Sequence, residues 1–133
     1  MPIELSFLSA SVALVFVHLA AEAVIANLNY KPSELLGARD NFEMRGHALA
    51  RAKRATQNML ESMILFAPLV LIAHATDRLN ETTQLGAGLF LAGRLVYAPC
   101  YWFGVPVVRT LAWTAGIVGI AMIFLQVLPF SGA

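Results

Sequence analysis

Charge is what this sequence of 133 residues has least of: Asp, Glu, Lys and Arg make up 13% of it, against about 25% in a soluble domain. So few charges cannot coat a water-facing surface, and 59% of the residues are hydrophobic. A net charge of +1 gives no basic field of the kind that holds nucleic acid, so no such partner is expected. The single cysteine, Cys100, excludes an intrachain disulfide and reads as a packed thiol. There is no H-E-x-x-H or C-x-x-C, so no metal site is expected. Gly86-Ala87-Gly88 follows no strand, which removes a nucleotide loop on context. A secretory leader is not expected either. Met1–Ser6 holds Glu4 and no Lys or Arg, and the first apolar run is too long for an h-region.

What the sequence does have is long apolar runs. Leu5–Leu28 reaches the ~20 residues that cross a bilayer and is interrupted only by His18 and Glu22. Asn29-Tyr30-Lys31-Pro32 ends it, with Tyr30 and Lys31 as interface anchors. A polar loop over about 29–54 follows. It gathers six of the nine Lys and Arg, which places it on the cytoplasmic side. Within it Gly37–Asn41 reads as a turn. Further spans are expected over about 55–75, with Pro68 bending it, 84–103 and 110–128. Asp77, Arg78, Asn80 and Glu81 lie on the outer connection, and Gly104-Val105-Pro106 forms the inner turn. Ala112/Gly116 and Ala115/Gly119 are small-xxx-small spacings that allow helices to approach closely. The expected fold is an all-α integral membrane protein: one domain, a four-helix transmembrane bundle with both termini outside. A soluble helical bundle is the structural alternative, disfavoured because four segments reach spanning length.

The stretch RAKRATQNMLE, Arg51–Glu61, places polar groups in the wrong solvent. At about 100° per residue, Arg51, Arg54, Asn58 and Glu61 fall on one helical stripe. A charge at the centre of a span costs roughly 2.5–3.5 kcal/mol on insertion scales, so such groups turn toward protein or water. Two uses fit. One is an internal staple, with Glu accepting from Arg and Asn bridging. The other is a recess for a charged guest, with Arg as an anion clamp. Arg94, Tyr97 and Tyr101 form a second stripe on the third span. The tyrosines alone would suit an interface belt, but Arg94 lies several residues inside and needs an acid or an anion. Glu61 is the internal candidate. Arg109, with Thr110 beside it, opens the fourth span as either a positive-inside anchor or a cation held above both stripes. His18 and Glu22, four apart, read as a buried hydrogen-bonded pair between helices. Trp102 and Trp113 read as interface anchors. His47 and His74 receive no role.

RATQNMLE at 54–61, GRLVYAPCY at 93–101 and VPVVRTLAW at 105–113 together resemble the MAPEG family, the membrane-associated proteins in eicosanoid and glutathione metabolism. That family includes microsomal glutathione transferases, leukotriene C4 synthase and microsomal prostaglandin E synthase. GARDNFE at 37–43 is similar to its bacterial branch. The resemblance covers nearly the whole chain. It implies a homotrimer in a bacterial inner membrane, with glutathione as cosubstrate bound between subunits near the cytoplasmic face. It further implies that Arg54, Asn58 and Glu61 hold the tripeptide, that Tyr97 and Tyr101 contact it, and that Arg51 and Arg94 are supporting cations. Arg109 would stabilise the thiolate, and Thr110 stands where some members carry Ser. The implied activity is a glutathione transferase or peroxidase acting on hydrophobic electrophiles or lipid hydroperoxides. The alternative is a non-catalytic lipid-binding or scaffold protein of the same fold. Two departures stand out: Lys31 where several members have an arginine near the first span, and Ser62 where some have Tyr.

Overall fold

The structure is a computed structural model that describes residues 1–37 and 46–129. Most of the expected turn at Gly37–Asn41 and the last residues of the C-terminal tail lie outside the described residues. The described chain forms five helices: α1 (Ile3–Asn29), α2 (Pro32–Leu36), α3 (Ala48–Ala75), α4 (Glu81–Phe103) and α5 (Pro106–Val127). Helices α1, α3 and α5 are long and apolar enough to cross a membrane. Helix α4 is not in that set, since its first turn is polar and Arg94 interrupts it.

Local chemistry accounts for the helix ends. Asn80 and Thr83 form a reciprocal capping box at the start of α4, which satisfies two otherwise orphan backbone donors. Gly104, at φ 73°, closes α4 in the left-handed conformation. The Val105 N–H reaches the Cys100 carbonyl at 2.8 Å and the Gly104 N–H reaches that of Tyr101 at 3.2 Å. This pairing is a Schellman stop. Pro106 then opens α5, where its missing N–H costs nothing. Helix α3 begins at Ala48, so Arg51 and Arg54 lie in its first two turns rather than in a loop.

Helices α4 and α5 approach most closely, through glycine. A Cβ on Gly93 would stand 2.7 Å from the Ala112 carbonyl oxygen and 3.1 Å from the Gly116 nitrogen; one on Gly119 would collide with the Gly86 carbonyl. The stripe Ala112, Gly116, Gly119 is therefore spent on α4 of the same chain. The core is Phe66, Val70, Ala87, Phe90, Ile120 and Ile123, with Phe66 and Phe90 stacked at 4.0 Å. Large apolar side chains such as Phe16, Ile64, Leu65, Leu85 and Leu111 face outward. Lipid tolerates that surface, while the helical backbone satisfies its own hydrogen bonds.

Three sequence expectations need correction. His18 and Glu22 do not bond to each other. His18 is fully buried, donates from Nδ1 to the Leu14 carbonyl at 2.8 Å and lies 5.4 Å from the Trp102 ring, while Glu22 pairs with Lys53 on α3 at 3.7 Å. The i, i+4 spacing puts both on one face of α1, but that face meets two different helices. Trp102 is accordingly not a displayed anchor, since its Nε1 is buried against α1. Tyr30 is likewise buried.

Candidate functional site

The first half of α3, the end of α4 and the start of α5 meet at one end of the molecule. Between them lies an open recess of about 230 Å³ lined by Asn58, Tyr97, Tyr101, Arg109, Thr110 and Trp113. Tyr101 is its pivot. Its hydroxyl accepts from Arg54 Nε at 2.9 Å, and the Arg109 guanidinium sits 4.9 Å from its ring centroid. The Tyr97 ring stands 5.6 Å from that of Tyr101. Thr110 spends its hydroxyl proton on the Pro106 carbonyl at 3.0 Å, so its oxygen remains an acceptor toward the recess.

Arg94 sits behind the recess, 1% exposed. Its Nη1 donates to Asn58 Oδ1 at 2.7 Å and its guanidinium lies 4.1 Å over the Tyr97 ring. Its stem runs beside Gly116, where a Cβ would make an ordinary contact 3.9 Å from Arg94 Cδ. The other two nitrogens, Nε and Nη2, are buried and unbonded among the described residues. The expected Glu61–Arg94 pair is not formed. Glu61 is exposed and accepts from Gln57 Nε2 at 3.2 Å, while Asn58 takes the partner role. The helix repeat explains this. Asn58 is rotated about 40° from Arg54 toward the buried seam of α3, whereas Glu61 falls about 20° to the other side.

The structure thus brings Arg54, Asn58, Arg94, Tyr97, Tyr101, Arg109 and Thr110 together, and leaves Glu61 on the outside of α3. Arg51 is set apart as well. Its guanidinium lies beside Gly104, 3.4 Å from where a Cβ would stand, at the carbonyl end of α4. A cation is favourable there. Trp113 joins the lining although its sequence position suggested an interface anchor. Its spacing of four from Arg109 was the available signal, since it places both on one face of α5. Among the described residues, none of Arg54, Arg94 and Arg109 is paired with a carboxylate. No group of His, Cys, Asp and Glu among them could hold a metal.

Residues 5–129 match the family model of MAPEG. The chain belongs to the MAPEG family. In searches of curated proteins and of solved structures, nothing matches it. MAPEG proteins are membrane proteins that use glutathione, and the family includes glutathione transferases and related enzymes as well as non-catalytic members. Membership and the three apolar helices together make this an integral membrane protein. For a MAPEG chain, the convergence on two tyrosines of three arginines with no carboxylate partner among the described residues is the feature with chemical content. It is a polar recess with surplus positive charge at one end of an otherwise apolar bundle.

Proposed function

We propose that the protein is a membrane-bound glutathione transferase with peroxidase capacity. The observation that carries this reading is the recess itself, where Arg54 and Arg109 both close on Tyr101 and neither has a carboxylate partner among the described residues. Glutathione brings two carboxylates, an ammonium and a thiol. Arg54 and the buried charge of Arg94 complement the carboxylates, and Asn58, Tyr97, Tyr101 and Thr110 supply hydrogen bonds and ring faces. Glu61 and Arg51, displayed away from the recess, meet the tripeptide if it lies between two subunits of a homotrimer.

A free thiol has a pKa of about 8.5, and a neighbouring cation lowers it. Arg109 is the cation at the recess mouth and acts as the thiolate stabiliser. The thiolate sulfur bonds to an electrophilic carbon while the leaving group departs with its electron pair. With a hydroperoxide, sulfur takes the terminal oxygen as the O–O bond breaks and the alcohol leaves; a second glutathione then closes the disulfide and water departs. The attacking sulfur belongs to glutathione, so Cys100 has no part.

Helix α4, at 23 residues, is about 35 Å long by its rise, which suffices for a fourth span with Arg94 turned inward. The recess then faces the cytoplasm and both termini lie on the outer side of a bacterial inner membrane. The second reading, a non-catalytic lipid binder, has its own observation: an apolar groove of about 320 Å³ along α4 and α5, lined by residues including Leu89, Val96 and Leu111. Titration of detergent-solubilised protein with glutathione separates the two. Thiolate absorbance should rise in the near ultraviolet, and Arg109→Ala should abolish it. An unchanged signal in that variant removes Arg109 from this role, and no signal in the unaltered protein favours the lipid binder.

A further inference from the structure

The pair His18 and Glu22 on α1 takes no part in lining the recess, yet each touches the chain neighbour of one partner in the Arg54–Tyr101 hydrogen bond. His18 packs on Trp102, next to Tyr101; Glu22 pairs with Lys53, next to Arg54. Arg54 and Tyr101 are themselves joined by a 2.9 Å hydrogen bond. The loop is closed: α1 to α4, α4 to α3 and α3 back to α1.

The His18–Trp102 contact is chemically complementary. A carbonyl can only accept, so the 2.8 Å contact from Nδ1 to Leu14 puts the proton on Nδ1 and leaves Nε2 of neutral His18 as an acceptor. The Trp102 indole nitrogen can only donate. Both atoms are buried and unbonded among the described residues, and their rings are 5.4 Å apart. Buried donors and acceptors are seldom left unsatisfied, and these two are complementary. Glu22, 19% exposed against 43% for Lys53, is the more sheltered partner of the second contact.

We propose that His18 and Glu22 are positioning residues for the anion site: Trp102 and Lys53 are their handles, and through these α1 sets the separation of Tyr101 and Arg54. The recess residues do the binding; α1 fixes where two of them stand. The inference rests on the glutathione reading for its consequence in activity, but not for its structural content.

The test has two arms. The chain has three tyrosines, so fluorotyrosine labelling gives three fluorine resonances, and Tyr101→Phe assigns the relevant one. In ligand-free protein, His18→Phe keeps the ring volume but removes the acceptor, and should move the Tyr101 resonance. His18→Gln, which restores an acceptor near the Nε2 position, should bring it back. Glu22→Lys should move it too, and the exchanged pair Glu22→Lys with Lys53→Glu should recover it. An unmoved Tyr101 resonance in both single variants overturns the proposal. So does a moved resonance that neither the Gln variant nor the charge exchange recovers, because that pattern belongs to general loosening. In the second arm, glutathione affinity should fall about tenfold in His18→Phe and Glu22→Lys and return in the two rescues. If the unaltered protein binds no glutathione, the transferase reading fails, while the fluorine arm still decides the positioning role.

Discussion

Arg94→Met separates the two uses that buried ionic side chains can have in this bundle. Arg94 is 1% exposed, donates once to Asn58 and lies over Tyr97. Replacing it removes a charge-assisted hydrogen bond worth about 1.5–3 kcal/mol and a desolvated cation–π contact of about 2 kcal/mol. If α4 is the proposed fourth span, it also removes the cost of holding a cation at membrane depth, roughly 2.5–3.5 kcal/mol. Methionine fills the same channel beside Gly116 with an unbranched apolar chain. The terms largely offset, leaving the ligand-free fold within about 2.5 kcal/mol of the original. The anion site does not recover. Glutathione at a hundred times its dissociation constant stabilises a native state by about 2.7 kcal/mol, and the variant should lose most of that increment. Reversible unfolding in mixed micelles, with and without glutathione, measures both quantities. A ligand-free loss well above 3 kcal/mol, with the glutathione increment intact, would make Arg94 a staple of the fold and refute its place at the site.

Three further outcomes follow from particular contacts. Tyr101→Phe keeps the ring under Arg109 but deletes the acceptor of the Arg54 bond; affinity for glutathione by calorimetric titration should fall about tenfold, or 1.4 kcal/mol, and equal affinity would detach Arg54 from the site. In Gly119→Val, the new Cβ collides with the Gly86 carbonyl and comes within 2.9 Å of the Phe90 nitrogen; overpacking of this kind costs about 1–3 kcal/mol, and an unchanged unfolding midpoint would mean that α4 and α5 separate without penalty. Thr83→Val strands the Glu4 carboxylate, which accepts from the Thr83 hydroxyl at 2.8 Å in a buried setting; the loss should be about 1–3 kcal/mol, with Thr83→Ser close to the original.

Helix existence was legible because apolar runs of spanning length have few other uses. The start of α3 was not, because Ala48–Arg54 carries polar residues that read as loop, yet nothing in it breaks a helix and each turn buries an alanine or leucine. Helix α2 escaped notice because five residues after a proline give no measurable period. At the site, Arg54, Asn58, Tyr97, Tyr101 and Arg109 were readable from spacing and resemblance. The partner of Arg94 was not, because sequence spacing defines a stripe about 80° wide, and which edge of that stripe touches the neighbouring helix depends on the rotation of the packed pair. The buried seam of α3 runs through Ala55, Met59, Ser62 and Phe66. Projecting those four at 100° per residue puts Asn58 at the edge of the seam and Glu61 beyond it.

Side-chain size divides the surface that α4 and α5 share. Helices α4 and α5 are antiparallel neighbours joined by the short turn at Gly104, and their backbones touch where glycine faces glycine or alanine, at Gly86 with Gly119 and at Gly93 with Ala112 and Gly116. On α4 both glycines lie on the side of Arg94 away from the turn; on α5 Ala112 lies between Arg109 and Trp113 in the chain. The recess opens beside this contact, toward α3, between Tyr97 and Tyr101 on one helix and Arg109 and Trp113 on the other, with Asn58 of α3 in its lining. The small residues hold the pair at backbone contact, and the large ones beside them line the recess. Arg94 stands at the changeover, its stem beside Gly116 and its head against Asn58 and Tyr97. The buried cation thus lies between the glycine contacts and the recess, behind the residues that line it.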